Sequence, residues 1–562
     1  MSDSSDMTRK TKLFAWFFMV CCWSVQALAT RHSMNADGVS YQNIADACLE
    51  GRWHALVNAY WSPGYPFLLT LWMKVFRPSA YYVPLCVRSF GFASLVVAGL
   101  SFEHFLKVFF VFRGRVGEDE EARGFVSDGS IRIAAYGLFL WMTVFWIPAS
   151  LEQPDIWVFI VYLHASALCM QIVSGSENWA RFLLLGVVLG LGYLMKAVMF
   201  PLSFVFLLSL AFYSRVRQVL PKLVLAFFAF AAVSAPFIGA ISRAKGRLTY
   251  GDAGAFNYQQ LLGGLDREES KEGDHLAAAP HIEDYTVFAD STPYPPWTDP
   301  SRIVKSSEYP FNVRRQLNRI HVVLRVYFDL YAVQLGGLAC GLLVLVLYSR
   351  RWIPFLTFLR KETVLWLPAL AGLGMYALVR VDGRFLPGFT VALFAAAMAA
   401  IPAGGEARDE SVGRSVASAV AILLVAQVVI QVGHDGLRLS GGDAYPDWQV
   451  VQALDKMGVT RGELVSYLGD ALSDHEWAYL AHVSIVAEIP EEDRNTYWAS
   501  SEAERRQVAM WLAKRGAKVL LTQDAPAPAH SSGWRRVGDT RYSLLDLATG
   551  TEPLPAKDAA LR

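Results

Sequence analysis

About eleven stretches of this chain approach the ~20 apolar residues that carry a helix across the hydrocarbon core of a bilayer. They fall at 13–29, 83–112, 131–149, 156–173, 182–196, 197–213, 223–242, 326–348, 363–379, 385–401 and 415–433. Within lipid every backbone N–H and C=O must be satisfied inside the protein, which restricts such segments to helices or a closed barrel. Their length favours helices, so the sequence predicts an all-α polytopic membrane bundle of about 11 transmembrane helices. Composition agrees, because 54% of the 562 residues are hydrophobic and only 18% are charged. A mean hydropathy of +0.30 is too high for a soluble chain of this length. A formal net charge of +1 leaves no basic excess for tracking a nucleic-acid backbone.

Three segments read ambiguously. Arg9, Lys10 and Lys12 before an apolar run that ends Ala27-Leu28-Ala29 imitate a cleavable signal peptide; the bundle requires the run as a retained first span. Residues 182–213 fit one long bent helix or two. Residues 62–77 are apolar but short, as in a re-entrant or interfacial piece. Lys and Arg concentrate in loops that are cytoplasmic if the N-terminus is, among them Arg113, Arg115, Arg217, Lys222, Arg408 and Arg414. That orientation, in a bacterial inner membrane, places the loop 30–62, an insert at 243–325 and the tail 434–562 on the extracytoplasmic side. The six cysteines show no CxxC or Cys/His spacing, so neither a disulfide framework nor a zinc site is expected.

The chain divides into a transmembrane part, 1–433, and a soluble tail, 434–562. In the tail, 448–458 and 502–516 carry helical apolar spacing, whereas 464–468, 483–489 and 518–522 are short β-rich runs. Alternation of this kind predicts a small α/β extracytoplasmic C-terminal domain.

The chemistry concentrates after the first span, in MNADGVSYQNIADACLEGRWHALVNAYWSPGYPFLL, residues 34–69. Asp37 stands at the start of an amphipathic helix suited to the membrane surface. Tyr41 lies on its apolar face, and an aromatic turn with Trp61 and Tyr65 follows. By itself Asp37 also reads as the helix N-cap, a common use of Asp before a helical run.

Asp-Gly-x-x-Tyr, Gly-x-Trp and Trp-Ser-Pro-x-Tyr-Pro, set in the first outer loop of a many-spanning protein, resemble the C-type glycosyltransferases. The likeness is to the branch of protein O-mannosyltransferases and lipid A aminoarabinose transferases. It implies a bundle of that C-type architecture and a polyprenyl-phosphate sugar as donor. It also implies a glycan, lipid or protein acceptor, and Asp37 at the position of the catalytic acid. The mannosyltransferases carry Asp-Glu where this chain has Asp37-Gly38, a departure that argues against a protein acceptor.

Further charged residues fall on the same predicted side. Glu152 and Asp155, in ASLEQPDIW, match an acidic element near the active site of the similar proteins; Pro154 and Asp155 also read as an ordinary helix start. Lys196 interrupts two apolar runs, where a cation must reach water, pair or meet an anionic ligand. Arg380 and Arg384 flank Asp382 in RVDGRF, and Arg suits phosphate binding. The resulting expectation is inverting transfer with Asp37 as general base. Glu152 and Asp155 belong to the catalytic set, Lys196, Arg380 and Arg384 bind the donor phosphate, and Tyr41, Trp61 and Tyr65 contact acceptor or sugar. A divalent metal bridging Asp37 and the phosphate is compatible, although the sequence shows no ligand cluster. The competing class is a transporter or lipid flippase, which would place charge at mid-membrane and show paired repeats.

Overall fold

The computed structural model describes residues 2–116, 126–175, 178–213, 216–263, 280–286, 292–302, 311–348, 362–400, 407–439, 444–526 and 533–547. Helix α1 (Ser2–Ala29) is followed by two shorter helices, α2 (Ala36–Leu49) and α3 (Gly64–Phe76). The bundle continues through α4 (Val83–Val116), α5 (Asp128–Phe145), α6 (Asp155–Val173), α7 (Trp179–Met195), α8 (Met199–Tyr213) and α9 (Val216–Lys245). Further bundle helices span Val313–Phe328, Gly336–Tyr348, Thr363–Ala377, Pro387–Ala400 and Ala407–Leu439.

The apolar stretches read from the sequence fall on these helices, which are uneven in length. Five described helices are long and apolar enough to cross a membrane singly, and Val313–Gln334 with Gly336–Leu347 forms a pair bent by 76°. Four more apolar helices have only 10–17 residues. The stretch 182–213 is two helices, broken where Lys196 takes an extended backbone at φ −157° and ψ 133°. The core is built from long apolar side chains: α5 packs against α1 and Ala407–Leu439, α4 against α6, and α7 against α9.

The tail supplies five strands, β2 to β6, of a six-stranded sheet in the order β1-β3-β2-β4-β6-β5. Its central strands β2 (Leu464–Leu468), β3 (Ser484–Ile489) and β4 (Ala517–Gln523) are parallel. Helices cover both faces, and β3 is consequently buried at all six positions. That is why these strands read as continuous apolar runs instead of alternating ones. Strands β5 (Arg535–Arg536) and β6 (Tyr542–Asp546) extend one side in antiparallel pairing.

The opposite edge comes from elsewhere in the chain. Strand β1 (Glu283–Asp284), from the insert, pairs antiparallel with β3. Glu488 on β3 accepts hydrogen bonds from Tyr285 and Tyr294 hydroxyls, both at 2.9 Å. Burial, which outweighs these bonds, pushes its carboxyl up to about 7. Past Tyr294 the insert forms the short helix Pro295–Thr298, which carries Trp297 into contact with α2.

Candidate active site

Asp37 does not cap α2. That position belongs to Asn35, whose backbone is extended (φ −133°, ψ 155°) and whose Oδ1 accepts from Gly38 N at 2.8 Å. The Asp37 carboxylate, one residue inside the helix, is therefore released from capping. Its Oδ2 accepts from Gln153 Nε2 at 3.0 Å and faces an Arg384 guanidinium nitrogen at 3.5 Å. Its Oδ1 faces the Trp297 indole N–H at 3.4 Å. With 26% of its side chain exposed, Asp37 is held by three separate parts of the chain and still reaches solvent.

A cavity of about 410 Å³ opens over it, lined among others by Asn35, Asp37, Trp146, Gln153, Asp382 and Arg384. Arg384 is fixed by its own turn. Asp382 caps the single 3₁₀ turn Gly383–Phe385 through Arg384 N, and its carboxylate lies 3.5 Å from Arg384 Nε. The cavity thus presents two carboxylates, Asp37 and Asp382, and the Arg384 guanidinium between them to a space large enough for a small ligand.

Lys196 and Asp155 adjoin this wall without lining it. Lys196 Nζ pairs with Asp155 Oδ1 at 2.5 Å and lies over the Phe385 ring, 3.9 Å from its centroid. Asp155 is 3% exposed, and its other carboxylate oxygen is buried without a hydrogen-bond partner. Arg384 stands within electrostatic range of both Asp155 and Asp37. Asp155 is also the first residue of α6 with Pro154 as N-cap, the helix start that the sequence suggested. The break that frees Lys196 is shaped by α3. A Cβ on Gly64 would lie 2.8 Å from Leu194 O, so only glycine lets α3 start this close to the end of α7.

Glu152 lies apart. It is 2% exposed, with Oε1 bound to an Arg88 guanidinium nitrogen at 2.5 Å and Oε2 to Gln42 Nε2 at 2.6 Å. Arg88, itself 2% exposed, also donates to Ser33 O at 2.6 Å and Thr30 O at 3.2 Å. The acid expected to join the catalytic set is thus on the reverse side of α2. This also accounts for Gly38, where a Cβ would come within 2.4 Å of Glu152 Oε2. The Asp-Gly departure in the sequence is a packing requirement of the Glu152 carboxylate.

The aromatic residues form a wall. Tyr41 meets Trp61 and Tyr65 edge-on, with centroids 4.9 and 5.0 Å apart, and all three are buried. Burial first, then the Asp37 charge, pushes the Tyr41 hydroxyl well above its ordinary value. Trp61 Nε1 and Ser40 Oγ both donate to Trp297 O at 3.1 Å, which binds the insert to α2. Arg380 is exposed and makes no ion pair among the described residues. Among those residues, no group of three or more His, Cys, Asp or Glu side chains is placed to hold a metal ion.

Sequence reasoning passed over Gln153, Trp297, Arg88 and Gln42. Of these only Arg88, a cation within an apolar run, carried a local signal.

No family model matches the chain, and no curated protein matches it. Solved structures do. ArnT from Cupriavidus metallidurans in the apo state superposes with a TM-score of 0.51 at 12% identity, over 96% of this chain and 99% of that one. ArnT bound to undecaprenyl phosphate gives 0.45 at 15% identity, with the same two coverages. The Archaeoglobus fulgidus oligosaccharyltransferase complexed with zinc and sulfate gives 0.46 at 12% identity, over 92% of this chain and 69% of that chain. At these identities the likeness is one of fold, and the fold is that of the polytopic C-type glycosyltransferases.

Proposed function

We propose that this chain transfers a sugar from a polyprenyl-phosphate carrier to an acceptor hydroxyl or amine at the extracytoplasmic face of a membrane, with inversion at the anomeric carbon. The observation that carries this reading is the pairing of Asp37 with Arg384 across one solvent-reached cavity, with Lys196 and Asp155 adjoining it. The shared fold and the sequence resemblance around Asp37 support the reaction class.

In this reading Asp37 removes the acceptor proton as attack on the anomeric carbon proceeds, and the carbon–oxygen bond to the carrier phosphate breaks on the opposite face. Gln153 and Trp297 aim the carboxylate. Arg384 stabilises charge growing on the departing phosphate in a partly dehydrated site, and Lys196 does so after loosening from Asp155. Asp155 holds the ammonium in place until the donor arrives, and Arg380 has a peripheral place at the rim. The buried trio Tyr41, Trp61 and Tyr65 shapes the wall that the sugar or acceptor meets. Glu152 acts indirectly, by fixing α2.

The test supplies purified protein with a panel of polyprenyl-phosphate sugars and candidate acceptors, then measures release of polyprenyl phosphate and the anomeric configuration of the product. Inverted product, with donor use weakened by Lys196→Ala and Arg384→Ala, is expected. Turnover unaffected by either substitution would overturn the assignment of the phosphate site.

A further inference from the structure

A second cavity is larger than the one over Asp37. At the other end of α2 a space of about 520 Å³ is enclosed by α2, α3, the start of α4 and one residue of the tail, His482. Its floor is apolar, with Leu49, Met73 and Val83, and its rim carries Lys74 and Arg77. Both cations are exposed, and neither meets an acid among the described residues. Lys74 lies in the last turn of α3 and Arg77 is its C-cap, and both line the cavity. Arg77 is held there by a left-handed backbone at φ 45°, which ends α3.

The stripe beside this wall identifies what reaches it. Thr70, Met73, Lys74 and Arg77 line the cavity. Phe67, Leu71 and Val75, spaced four residues apart on the adjacent face of α3, are 42%, 45% and 75% exposed. Trp53 on the cavity wall is also exposed, at 48%. A helix with an exposed apolar stripe and cations at its edge lies in the headgroup region of a bilayer. The cavity therefore opens where a phospholipid's phosphate and upper acyl chain are found. The acid on its wall, Asp46, is already engaged by the Tyr479 hydroxyl at 2.7 Å, and burial pushes its carboxyl up to about 6.

We propose that this cavity binds an anionic phospholipid from the surrounding leaflet, its phosphate between Lys74 and Arg77 and an acyl chain over Leu49 and Met73. The site is separate from the transfer cavity. Asp46 and Leu49 lie nine and twelve residues beyond Asp37, about 14–18 Å along α2 at the helical rise. A lipid held there braces α2, α3 and the tail together from the end of α2 opposite Asp37. The proposal rests on the membrane setting and does not depend on the transfer reaction.

Native mass spectrometry of the full-length protein, titrated in detergent with phosphatidylglycerol or phosphatidylcholine, tests it. Phosphatidylglycerol should be retained and phosphatidylcholine lost at much lower collision energy. Lys74→Gln and Arg77→Gln should each weaken retention about fivefold and together about 30-fold, the effect of one and two cations at a lipid surface. Because these side chains are exposed, the variants should elute as wild type on size exclusion. Leu49→Glu, which places an acid on the apolar wall, should weaken retention with both cations intact. Equal retention of the two lipids, wild-type retention by the double variant or by Leu49→Glu, or displacement of the lipid by millimolar inorganic phosphate would each overturn the assignment.

Discussion

The cavity over Asp37 and the knot around Glu152 are built from the same three elements, the turn before α2, α2 itself and the Glu152–Asp155 segment, yet they are chemical opposites. In the knot, both carboxylate oxygens of Glu152 are taken, and two Arg88 nitrogens bind Glu152 and backbone carbonyls, while Arg88 Nε and Gln42 Oε1 are buried without a partner. In the cavity, Asp37 keeps solvent access and its Arg384 contact is long, and beside it the buried Asp155 retains an oxygen without a partner. A buried ionic group with its hydrogen bonds filled fixes geometry, and removing one partner leaves a charge stranded. A carboxylate that is aimed but not saturated can still exchange a proton. The difference teaches that charge alone does not mark a candidate base; what sets Asp37 apart from Glu152 is a carboxylate left with spare capacity, and its proposed role rests on that.

The comparison breaks most sharply at Asp37 itself. Asn keeps the size of Asp, and the cap is on Asn35, so Asp37→Asn should leave folding intact. Turnover should fall by about 10²–10⁴-fold, the range for loss of a general base. Melting temperature and single-turnover rate measured on the same preparation check both halves. Turnover near wild type would move the base elsewhere and dissolve the contrast.

Arg88→Met attacks the other side. It strands Glu152 in a nearly dry site, and breaking a buried pair costs about 3–5 kcal/mol. Thermal or denaturant unfolding in detergent should register a large loss, with whatever enzyme remains folded keeping donor affinity close to wild type. Small destabilisation with a selective loss of turnover would instead place Glu152 in the chemistry.

A milder probe is Gly38→Ala. The added methyl meets the Glu152 carboxylate and its Cβ, at 2.4 and 2.7 Å before relaxation, so α2 or Glu152 must shift. Overpacking of this kind costs about 1–3 kcal/mol. The expected outcome is a lower melting temperature, and, with Glu152→Ala, which itself strands Arg88, a combined loss smaller than the sum of the two single losses, because the carboxylate that the methyl meets is gone. Additive losses in the double variant would show that the two positions do not press on one another.

How much of this was legible beforehand follows from the range of each interaction. Asp37, Tyr41, Trp61 and Tyr65 lie within one short stretch, where helix periodicity and turn residues place the aromatics and the family resemblance singles out Asp37. The tail's parallel strands were equally plain, since burial on both faces writes an apolar run into each. Gln153 and Trp297 reach Asp37 across 116 and 260 residues, and nothing local marks a Gln or Trp as the partner of a distant acid. The two-residue strand β1 is likewise too short to leave a periodic trace. Glu152 misled for a different reason: its sequence neighbourhood is acidic and adjoins the site, and only the position of Arg88 reveals on which side of α2 it ends.

The smallest expected effect belongs to Gln153, where the knot and the cavity touch. It follows Glu152 directly, yet its amide donates to Asp37 Oδ2 at 3.0 Å and to Asn35 Oδ1 at 3.3 Å, the oxygen that also caps α2. Gln153→Ala removes one aimed donor while Trp297 and Arg384 still flank the carboxylate. A net hydrogen bond contributes about 0.5–1.5 kcal/mol, so the turnover number should fall only about two- to tenfold. The donor KM should stay near wild type, because Gln153 touches the base and not the cations assigned to the phosphate. Gln153→Glu should be worse than Ala, since it sets a second carboxylate against Asp37 where the amide had donated. Equal rates for Ala and Glu would mean that Asp37 is aimed by Trp297 and Arg384 alone, and that the segment's influence on the cavity ends at Glu152.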